Sequence, residues 1–297
     1  MIFDAIIIGG SYAGLAASLQ LARARRSILV VDAGIRRNRF AHSSHGFLTQ
    51  DGESPEAIAA TARRQLMAYK TVCWLDGTAE AAEAVGGDFQ VQVNDGSVHR
   101  ARRLVLATGV RDILPDIPGL RERWGTSIFH CPYCHGYEIN EGEIGVLATS
   151  PLSLHQALLL PDWGRVTFFL NGVFTPDADQ SAQLRDRGVT VVTDAVTAVE
   201  GERATVRTQN GRLFPLDGLF TAPRIEMASS IAHQLGCAFE DGPFGAFIRT
   251  DGFKETSVAG VFACGDAARA AGSVSMAVGD GAFAGTATHQ SIVFRKL

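Results

Sequence analysis

Two cysteines separated by two residues are the clearest chemical feature of this 297-residue chain: Cys131 and Cys134, followed at once by His135. Two thiols at this spacing can close to a disulfide and open again, which favours thiol–disulfide exchange. The same letters match a c-type haem attachment box, but that chemistry requires export. A zinc site would need a second pair of ligands, and none follows at ligand spacing. We therefore interpret the two cysteines as a redox pair and predict no metal.

The composition narrows the class of protein. With 27 basic and 31 acidic residues the formal charge is −4, and no basic run suits nucleic acid. No apolar stretch approaches the ~20 residues of a membrane span, and residues 1–4 lead into an apolar run without the charged start of a secretory signal. We expect a cytoplasmic protein that binds neither nucleic acid nor a membrane. Cys73, Cys237 and Cys264 should then be buried apolar residues rather than bridges.

The N-terminal segment predicts an element order that would hold a dinucleotide. An apolar run over 3–9 ends in glycines, a helical pattern covers 13–25, and an apolar run over 27–31 closes on Asp32. This order opens a Rossmann-type unit, in which the carboxylate accepts the ribose hydroxyls. Serine replaces the middle glycine of G-x-G-x-x-G, although its amide can still face a phosphate at the helix start. The candidate residues are Gly9, Gly10, Ser11, Tyr12, Ala13 and Gly14, with Ala33 after the acid.

A second unit repeats the plan of strand, helix and strand, over 143–148, 152–160 and 166–170. Two prolines and a glycine within 114–119 mark the crossing into it, and the character of the chain changes again at Gly242-Pro243. We expect an α/β protein of two Rossmann-like units. The predicted domains are a discontinuous first domain over 1–113 and 246–297, and a middle domain over 114–245 that carries the cysteine pair.

Two further markers give a resemblance to a known family. Residues 256–266, which end in Gly265-Asp266, are similar to the second FAD signature of flavoproteins with two dinucleotide folds. Residues 107–109 (Ala-Thr-Gly) are similar to their middle marker. With the cysteine pair, these markers make nearly the whole chain resemble low-molecular-weight thioredoxin reductase. The resemblance implies FAD in the first domain, an inserted NAD(P)-type domain, and a homodimer.

The same resemblance implies further residues of the FAD site. A helix that starts near the end of the chain should point its positive end at the flavin pyrimidine, where it would stabilise negative charge. The acid of the second signature should bind the ribityl–phosphate part of the cofactor. The implied FAD residues outside the first loop are Arg37 and Asn38 near the phosphates, Thr108 and Gly109, Gly265 and Asp266, and Val274 and Ser275 at the helix start.

The resemblance also guides the roles of the pair. We expect Cys131 to exchange with substrate and Cys134 to face the flavin. Thioredoxin reductases carry an aspartate proton donor directly after the pair, whereas this chain has His135, whose ordinary pKa of about 6.5 suits proton transfer near neutrality. A histidine here resembles the FAD-dependent dithiol oxidases that close disulfides in gliotoxin-, holomycin- and romidepsin-like natural products. A purely structural role for His135 stays open, and His42, His45 and His130 are expected to form local hydrogen bonds.

The second unit lacks the features of a nicotinamide site. Its loop over 148–153 lacks both glycines of a dinucleotide-binding loop, and Pro151 removes a backbone N–H donor. No basic residue within 168–172 would meet a 2′-phosphate. We therefore predict a dithiol oxidase that takes electrons from a small-molecule dithiol and passes them to oxygen. The alternatives are a reductase fed by a donor such as ferredoxin, and a non-catalytic flavin-binding or redox-sensing protein.

Overall fold

The computed structural model describes residues 2–295 and divides into two compact units. The strands are β1 (Ile2–Phe3), β2 (Ala5–Ile8), β3 (Ile28–Asp32), β4 (Val72–Asp76), β5 (Ala79–Val85), β6 (Asp88–Val93), β7 (Val98–Ala101), β8 (Leu104–Leu106), β9 (Val110–Ile113), β10 (Ile128–Phe129), β11 (Glu143–Leu147), β12 (Arg165–Phe169), β13 (Thr190–Val192), β14 (Val196–Glu200), β15 (Thr205–Thr208), β16 (Leu213–Phe214), β17 (Gly218–Thr221), β18 (Arg224–Met227), β19 (Phe239–Asp241), β20 (Ala246–Ile248) and β21 (Val261–Ala263).

The helices connect these strands. The α-helices are α1 (Tyr12–Arg23), α2 (Pro55–Met67), α3 (Pro132–His135), α4 (Ser153–Leu159), α5 (Ala178–Asp186), α6 (Ile231–Gln234) and α7 (Val274–Phe294). Short 3₁₀ turns lie at Arg121–Arg123, Tyr137–Ile139, Leu160–Asp162 and Gly265–Ala268. Among the described residues, no helix combines the length and the apolar character that a bilayer span requires.

Of the described residues, unit 1 comprises 2–39, 47–111 and 225–295. Its central sheet is parallel, in the order β21-β8-β2-β3-β4. Both faces of this sheet are buried, because alternate residues of one strand enter two different hydrophobic clusters: Ile6 and Ile8 belong to one, and Ala5 and Ile7 to the other. Such unbroken apolar strands are typical of parallel sheets with cover on both sides. A second sheet, β1-β7-β6-β5, adjoins the first in sequence.

Helices α1 and α7 pack closely in unit 1, and the small residues of α7 allow this. A Cβ atom at Gly281 would collide with the backbone carbonyl of Ala13, so any larger residue there would push the helices apart. The approach buries Ala284 and Ala287 from α7 in the same cluster as Leu15. The two helices therefore form one rigid layer beneath the first loop.

Unit 2 comprises residues 40–46 and 112–224. Its main sheet is also parallel, in the order β10-β17-β11-β12-β13, and β14-β15-β16 form a separate antiparallel sheet. Strand β11 again alternates between two clusters, with Leu147 in one and Val146 in the other. The repeated plan of parallel strands and crossover helices confirms the predicted α/β class with two Rossmann-like units.

The division between units differs from the predicted one. The chain leaves unit 1 after Arg111 and returns at Ile225, whereas the prediction placed the return at residue 246. Residues 231 and 232 are buried in the core of unit 1, and the side chain of Gln234 accepts the N–H of Ala82 at 3.0 Å. The Gly242-Pro243 signal marks the turn between β19 and β20 rather than a crossing.

One cysteine prediction was wrong. Cys237 and Cys264 are buried as expected, but Cys73 is exposed. Its strand β4 forms the edge of the parallel sheet, so only part of the strand is covered by neighbours. Only Val72 of this strand is buried, and Asp76 at its other end is exposed.

Candidate functional site

The first loop of unit 1 is built from close backbone contacts. Gly9 has φ +102°, a conformation open mainly to glycine, and a side chain there would strike the carbonyl of Ala107. A Cβ atom at Gly14 would collide with the carbonyl oxygen of Gly9. Glycine at both positions thus brings the start of α1 directly against the end of β2. This is the contact between helix and strand that a pyrophosphate-binding loop requires.

The carboxylate of Asp32 closes the loop from the end of β3. Its Oδ1 accepts the backbone N–H of Gly10 at 2.9 Å. A Cβ atom at Gly10 would meet both the Asp32 side chain and the ring of Trp74. The bond fixes the acid at the carboxyl end of a parallel strand, the position from which such an acid binds ribose hydroxyls. Ala33, the next residue, is exposed.

Helix α1 begins without a side-chain cap. Ser11 is its N-cap residue, yet the Ser11 hydroxyl makes no capping bond. By contrast, Ser54 caps α2 by accepting the N–H of Ala57, and Ser273 caps α7 by accepting that of Met276. The first amides of α1 therefore present their donors and the positive end of the helix, which together suit a phosphate.

Tyr12 anchors the loop that follows β3. The Tyr12 hydroxyl donates to the carbonyl of Pro55 at 3.1 Å and accepts from Nδ2 of Asn38 at 3.2 Å. Burial raises the pKa of Tyr12, with smaller opposing effects from the hydrogen bond of Asn38 and the charge of Arg36. The phenol therefore stays neutral near pH 7, and its hydrogen bonds hold Asn38 beside the first loop.

The second marker is held within unit 1 by an ion pair at Asp266 and by a backbone hydrogen bond at Gly265. Arg37 donates to Asp266 at 2.9 Å, so the structure brings these two predicted FAD residues together. Gly265 has φ +70°, and its N–H donates to Oδ2 of Asp280 at 2.9 Å. Asp280 is almost fully buried and contacts Lys254 at 2.5 Å. Buried carboxylates need such partners.

Asp280 is a residue that sequence reasoning missed. The available signal was an acid within a helix otherwise dominated by small and apolar residues, since buried acids are rare unless paired. Its helix α7 begins at Val274, as predicted, and Ser275 is exposed in the first turn. Thr108 is partly buried, and Gly109 adopts φ +67°.

The residues of unit 1 fit FAD. The glycine contacts, the uncapped start of α1 and the Asp32 carboxylate provide the three elements that bind a dinucleotide. The first loop and Asp32 would hold the ADP half, and Asp266, with Arg37, would hold the ribityl–phosphate part. When bound, FAD supplies an acceptor for two electrons, which can come from a dithiol.

In unit 2, the cysteine pair forms a disulfide between Cys131 and Cys134. Pro132 occupies the first position of α3, where its missing N–H is tolerated and its fixed φ favours a helical start. The N–H of Cys134 donates to the carbonyl of Cys131 at 3.2 Å. Both cysteines are partly exposed. Within residues 2–295 no group of three metal-ligating side chains occurs.

His135 lies among aromatic rings. Its imidazole stacks on Phe129 with ring centroids 4.3 Å apart, and the ring of His45 meets it edge-on at 6.5 Å. Burial lowers the pKa of His135 to about 4, and the neighbouring imidazoles of His130 and His45 make smaller contributions in the same direction. The side chain is therefore neutral at physiological pH. It can accept a proton, and it does not carry one in the resting state.

Two other histidines have local partners. The Nε2 atom of His45 lies 3.5 Å from Oε1 of Glu138, and the ring of His130 lies 6.1 Å from that of Trp124. Residues 40–46 group with unit 2, so His45 belongs to the surroundings of the disulfide. Sequence spacing gave no signal for this, because some ninety residues separate His45 from His135.

The loop between β11 and α4 is closed by its own hydrogen bonds. The N–H of Thr149 donates to Oγ of Ser153 at 3.1 Å, and the N–H of Leu152 donates to Oγ of Ser150 at 3.3 Å. Thr149 Oγ1 donates to the carbonyl of Ala222 at 2.6 Å. Pro151 has no N–H. Two amide donors of this loop, those of Thr149 and Leu152, are thus engaged by its own side chains.

The end of β12 differs in the same way from the end of β3. Strand β3 of unit 1 ends in Asp32, whereas β12 of unit 2 is followed by Leu170 and Asn171. The side-chain oxygen of Asn171 accepts the N–H of Val196 at 2.8 Å, and Asn171 itself has φ +52°. This amide therefore stabilises a turn instead of presenting a carboxylate or a cation to a ribose.

These two units define a flavoprotein with two dinucleotide folds and a redox-active disulfide. A family model for pyridine nucleotide-disulphide oxidoreductases matches residues 3–281, and the chain belongs to that family. The predicted thioredoxin reductase-like class and the FAD cofactor are thereby confirmed. The protein is an oxidoreductase that acts on thiols and disulfides.

The similar proteins span the same length. Thioredoxin reductase tcpT of Claviceps purpurea is 35% identical over 298 residues, covering 96% of this chain and 92% of that protein. Thioredoxin reductase sirT of Leptosphaeria maculans is 33% identical and covers 96% and 93%. Among solved structures, an oxidoreductase from Agrobacterium tumefaciens has 56% identity and a TM-score of 0.97 over 99% of this chain and 100% of that one. HlmI has 37% identity and a TM-score of 0.92 over 98% and 93%.

Proposed function

We propose that this protein is an FAD-dependent dithiol oxidase that converts a small-molecule dithiol to a disulfide, with oxygen as the final acceptor. One observation carries the proposal. The redox pair and the FAD loop are complete, whereas the loop between β11 and α4 engages its own donors through Ser150 and Ser153. Because the disulfide site is intact and two amides of the loop that would bind a nicotinamide dinucleotide are engaged, we infer that electrons enter the protein from a thiol substrate.

The exchange needs only the two cysteines and the substrate. A substrate thiolate attacks Sγ of Cys131, the S–S bond breaks, and Cys134 leaves as a thiolate. The second substrate thiolate then attacks the substrate sulfur of this mixed disulfide and releases Cys131. The substrate has lost two electrons and two protons, and the protein pair has gained the electrons. The two cysteine sulfurs then close to the disulfide again, a step for which FAD, held by unit 1, would supply the two-electron acceptor.

His135 is placed to take a proton during this exchange. It is the residue after Cys134, and it is neutral because its pKa is lowered to about 4. The neutral imidazole can accept a hydrogen bond or a proton from an incoming thiol, but with a pKa of about 4 it is a weak base, and its protonated form would pass the proton on readily.

The surface at the pair supports a compact organic substrate. Tyr133, between the two cysteines, is 72% exposed, and its ring meets Trp163 edge-on at 5.5 Å. The exposed ring of Tyr133, held edge-on against Trp163, offers an apolar face to a cyclic dithiol. We propose substrates of this kind rather than protein dithiols.

Anaerobic flavin absorbance tests the function. Addition of dithiothreitol should bleach the flavin band, admission of air should restore it, and hydrogen peroxide should form in equal amount. NADPH should leave the band unchanged. Rapid bleaching by NADPH would refute the oxidase and indicate a reductase. Bleaching by reduced ferredoxin, with no reaction to dithiothreitol, would favour a ferredoxin-fed reductase.

We also propose a cytoplasmic homodimer. Several apolar side chains of α7 are exposed, including Met276, Phe283 and Phe294, and apolar surface of this kind favours association. Light scattering coupled to size exclusion should give twice the chain mass of 31.7 kDa. A mass equal to one chain at micromolar concentration would exclude the dimer.

A further inference from the structure

Helix α4 carries a buried polar residue that contacts the segment leading into the disulfide. Gln156 is 7% exposed, and its Nε2 donates to the carbonyl of His130 at 2.7 Å. His130 directly precedes Cys131. The contact therefore joins the helix that follows the altered dinucleotide loop to the backbone beside the exchanging sulfur.

Gln156 lies among buried apolar residues, so its hydrogen bond to His130 explains why a polar residue occupies this position. Its neighbour Ala157 is fully buried, and Leu160, one turn further on, is fully buried as well. The Oε1 atom of the same amide is buried without a hydrogen-bond partner among the described residues. Half of the amide is thus unsatisfied, which is unfavourable in an apolar core. A methionine would fill the same volume without this penalty.

The regular pairing of β10 stops just before the pair. Ile128 and Phe129 pair with Leu219 and Phe220 of β17, and the ladder ends there. The carbonyl of His130 is the next acceptor along the chain, and Gln156 binds it. The hydrogen bond from Gln156 thus holds the backbone one residue beyond β10, at His130, which directly precedes Cys131.

We infer that Gln156 is a positioning residue for the redox pair, and that α4, the helix of the former nicotinamide site, now holds the disulfide in place. This inference rests on the proposed function, in which the pair exchanges with a dithiol. Thiol exchange requires the attacking sulfur and the two disulfide sulfurs to align, so a restrained Cys131 backbone speeds the attack. A restraint that fits the backbone of the disulfide better than that of the dithiol would also shift the equilibrium between them, and the midpoint of the couple reports this.

Gln156→Met tests this role, because methionine keeps the length and removes the donor. His155→Ala is the matched control, since His155 is exposed on the same helix. Anaerobic reaction of the oxidised protein with dithiothreitol, followed by alkylation and mass analysis, gives the exchange rate and the midpoint of the Cys131–Cys134 couple. We expect Gln156→Met to slow exchange about tenfold and to shift the midpoint, with FAD content unchanged; tenfold corresponds to about 1.4 kcal/mol. His155→Ala should change neither.

If Gln156→Met has the same exchange rate and the same midpoint as the wild-type protein, the inference is wrong. Gln156→Asn is the second variant, which keeps the amide but falls short of His130, and it should behave like Gln156→Met. If both variants fail to fold, the residue is structural and the inference is wrong. The readout needs no turnover. A wild-type protein that exchanges with dithiothreitol but is not reoxidised by air would refute the oxidase while leaving this test intact.

Discussion

Replacing His135 with phenylalanine should remove an acid-sensitive part of the stability of this protein. Phenylalanine keeps a ring against Phe129 but cannot titrate. Folding lowers the pKa of His135 from 6.5 to about 4. The folded protein therefore binds fewer protons at this site than the unfolded chain does between these two values. The contribution of neutral His135 to the free energy of unfolding is fully present above the pKa of the unfolded state. It is lost as the pH falls from that value towards the pKa of the folded state.

The size of the effect follows from the two pKa values. One unit of pKa difference corresponds to about 1.4 kcal/mol, so a shift from 6.5 to about 4 gives a total loss of about 3 kcal/mol. At about pH 5, where the unfolded imidazole is largely protonated and the folded one is not, the loss is about 2 kcal/mol. This is a large share of the stability of an ordinary domain.

Urea unfolding followed by tryptophan fluorescence, at about pH 8 and about pH 5, measures the difference. Wild type should lose about 2 kcal/mol more than His135→Phe on acidification. The subtraction cancels other groups, including His289, whose pKa is also lowered, mainly by burial. His155→Phe, a change at an exposed histidine, is the control and should follow wild type. Parallel losses in wild type and His135→Phe would refute the description of His135 as a buried neutral base.

Three further predictions concern the cofactor and the pair. Gly14→Ala should abolish FAD binding or folding, because its Cβ would collide with the Gly9 carbonyl, whereas Gly279→Ala in α7 has open space and should keep the flavin spectrum. Asp32→Ala removes the acceptor of the Gly10 N–H and should weaken FAD retention by about 1–3 kcal/mol, measured as free FAD after dialysis, while Asp32→Asn should lose less. Cys131→Ser should abolish dithiol-dependent oxygen uptake and leave the flavin spectrum intact; uptake at the wild-type rate would exclude exchange through this pair.

Much of the cofactor site could be predicted from sequence because it is local. The loop from Gly9 to Gly14 and the acid at Asp32 belong to one strand–helix–strand unit, in which spacing fixes position. By contrast, the start of α7 and the FAD roles of Arg37 and Asp266 came only from the family resemblance. The ion pair between Arg37 and Asp266, which joins residues far apart in the chain, was not predicted.

The surroundings of the disulfide were less predictable, since they come from distant segments. His45 reaches His135 from a loop that precedes the middle domain, and Gln156 reaches His130 from the following helix. Periodicity reports which face of an element is buried, but it does not report which elements meet. The return of the chain to unit 1 was misplaced for a related reason. A proline and glycine pair marks any turn, and here it marked a hairpin.

The state of His135 bears on the direction of electron flow. A reductase must protonate the thiolates that leave its substrate, and an acid after the cysteine pair serves that step. An oxidase must instead remove protons from the arriving dithiol. The imidazole of His135, with its pKa lowered to about 4 mainly by burial, is unprotonated throughout the physiological range, so it cannot supply the proton that a reductase needs. His135, which replaces the aspartate of thioredoxin reductases, therefore favours electron flow from a substrate dithiol to the protein. The loop between β11 and α4, whose amides bind Ser150 and Ser153, favours the same direction for an independent physical reason.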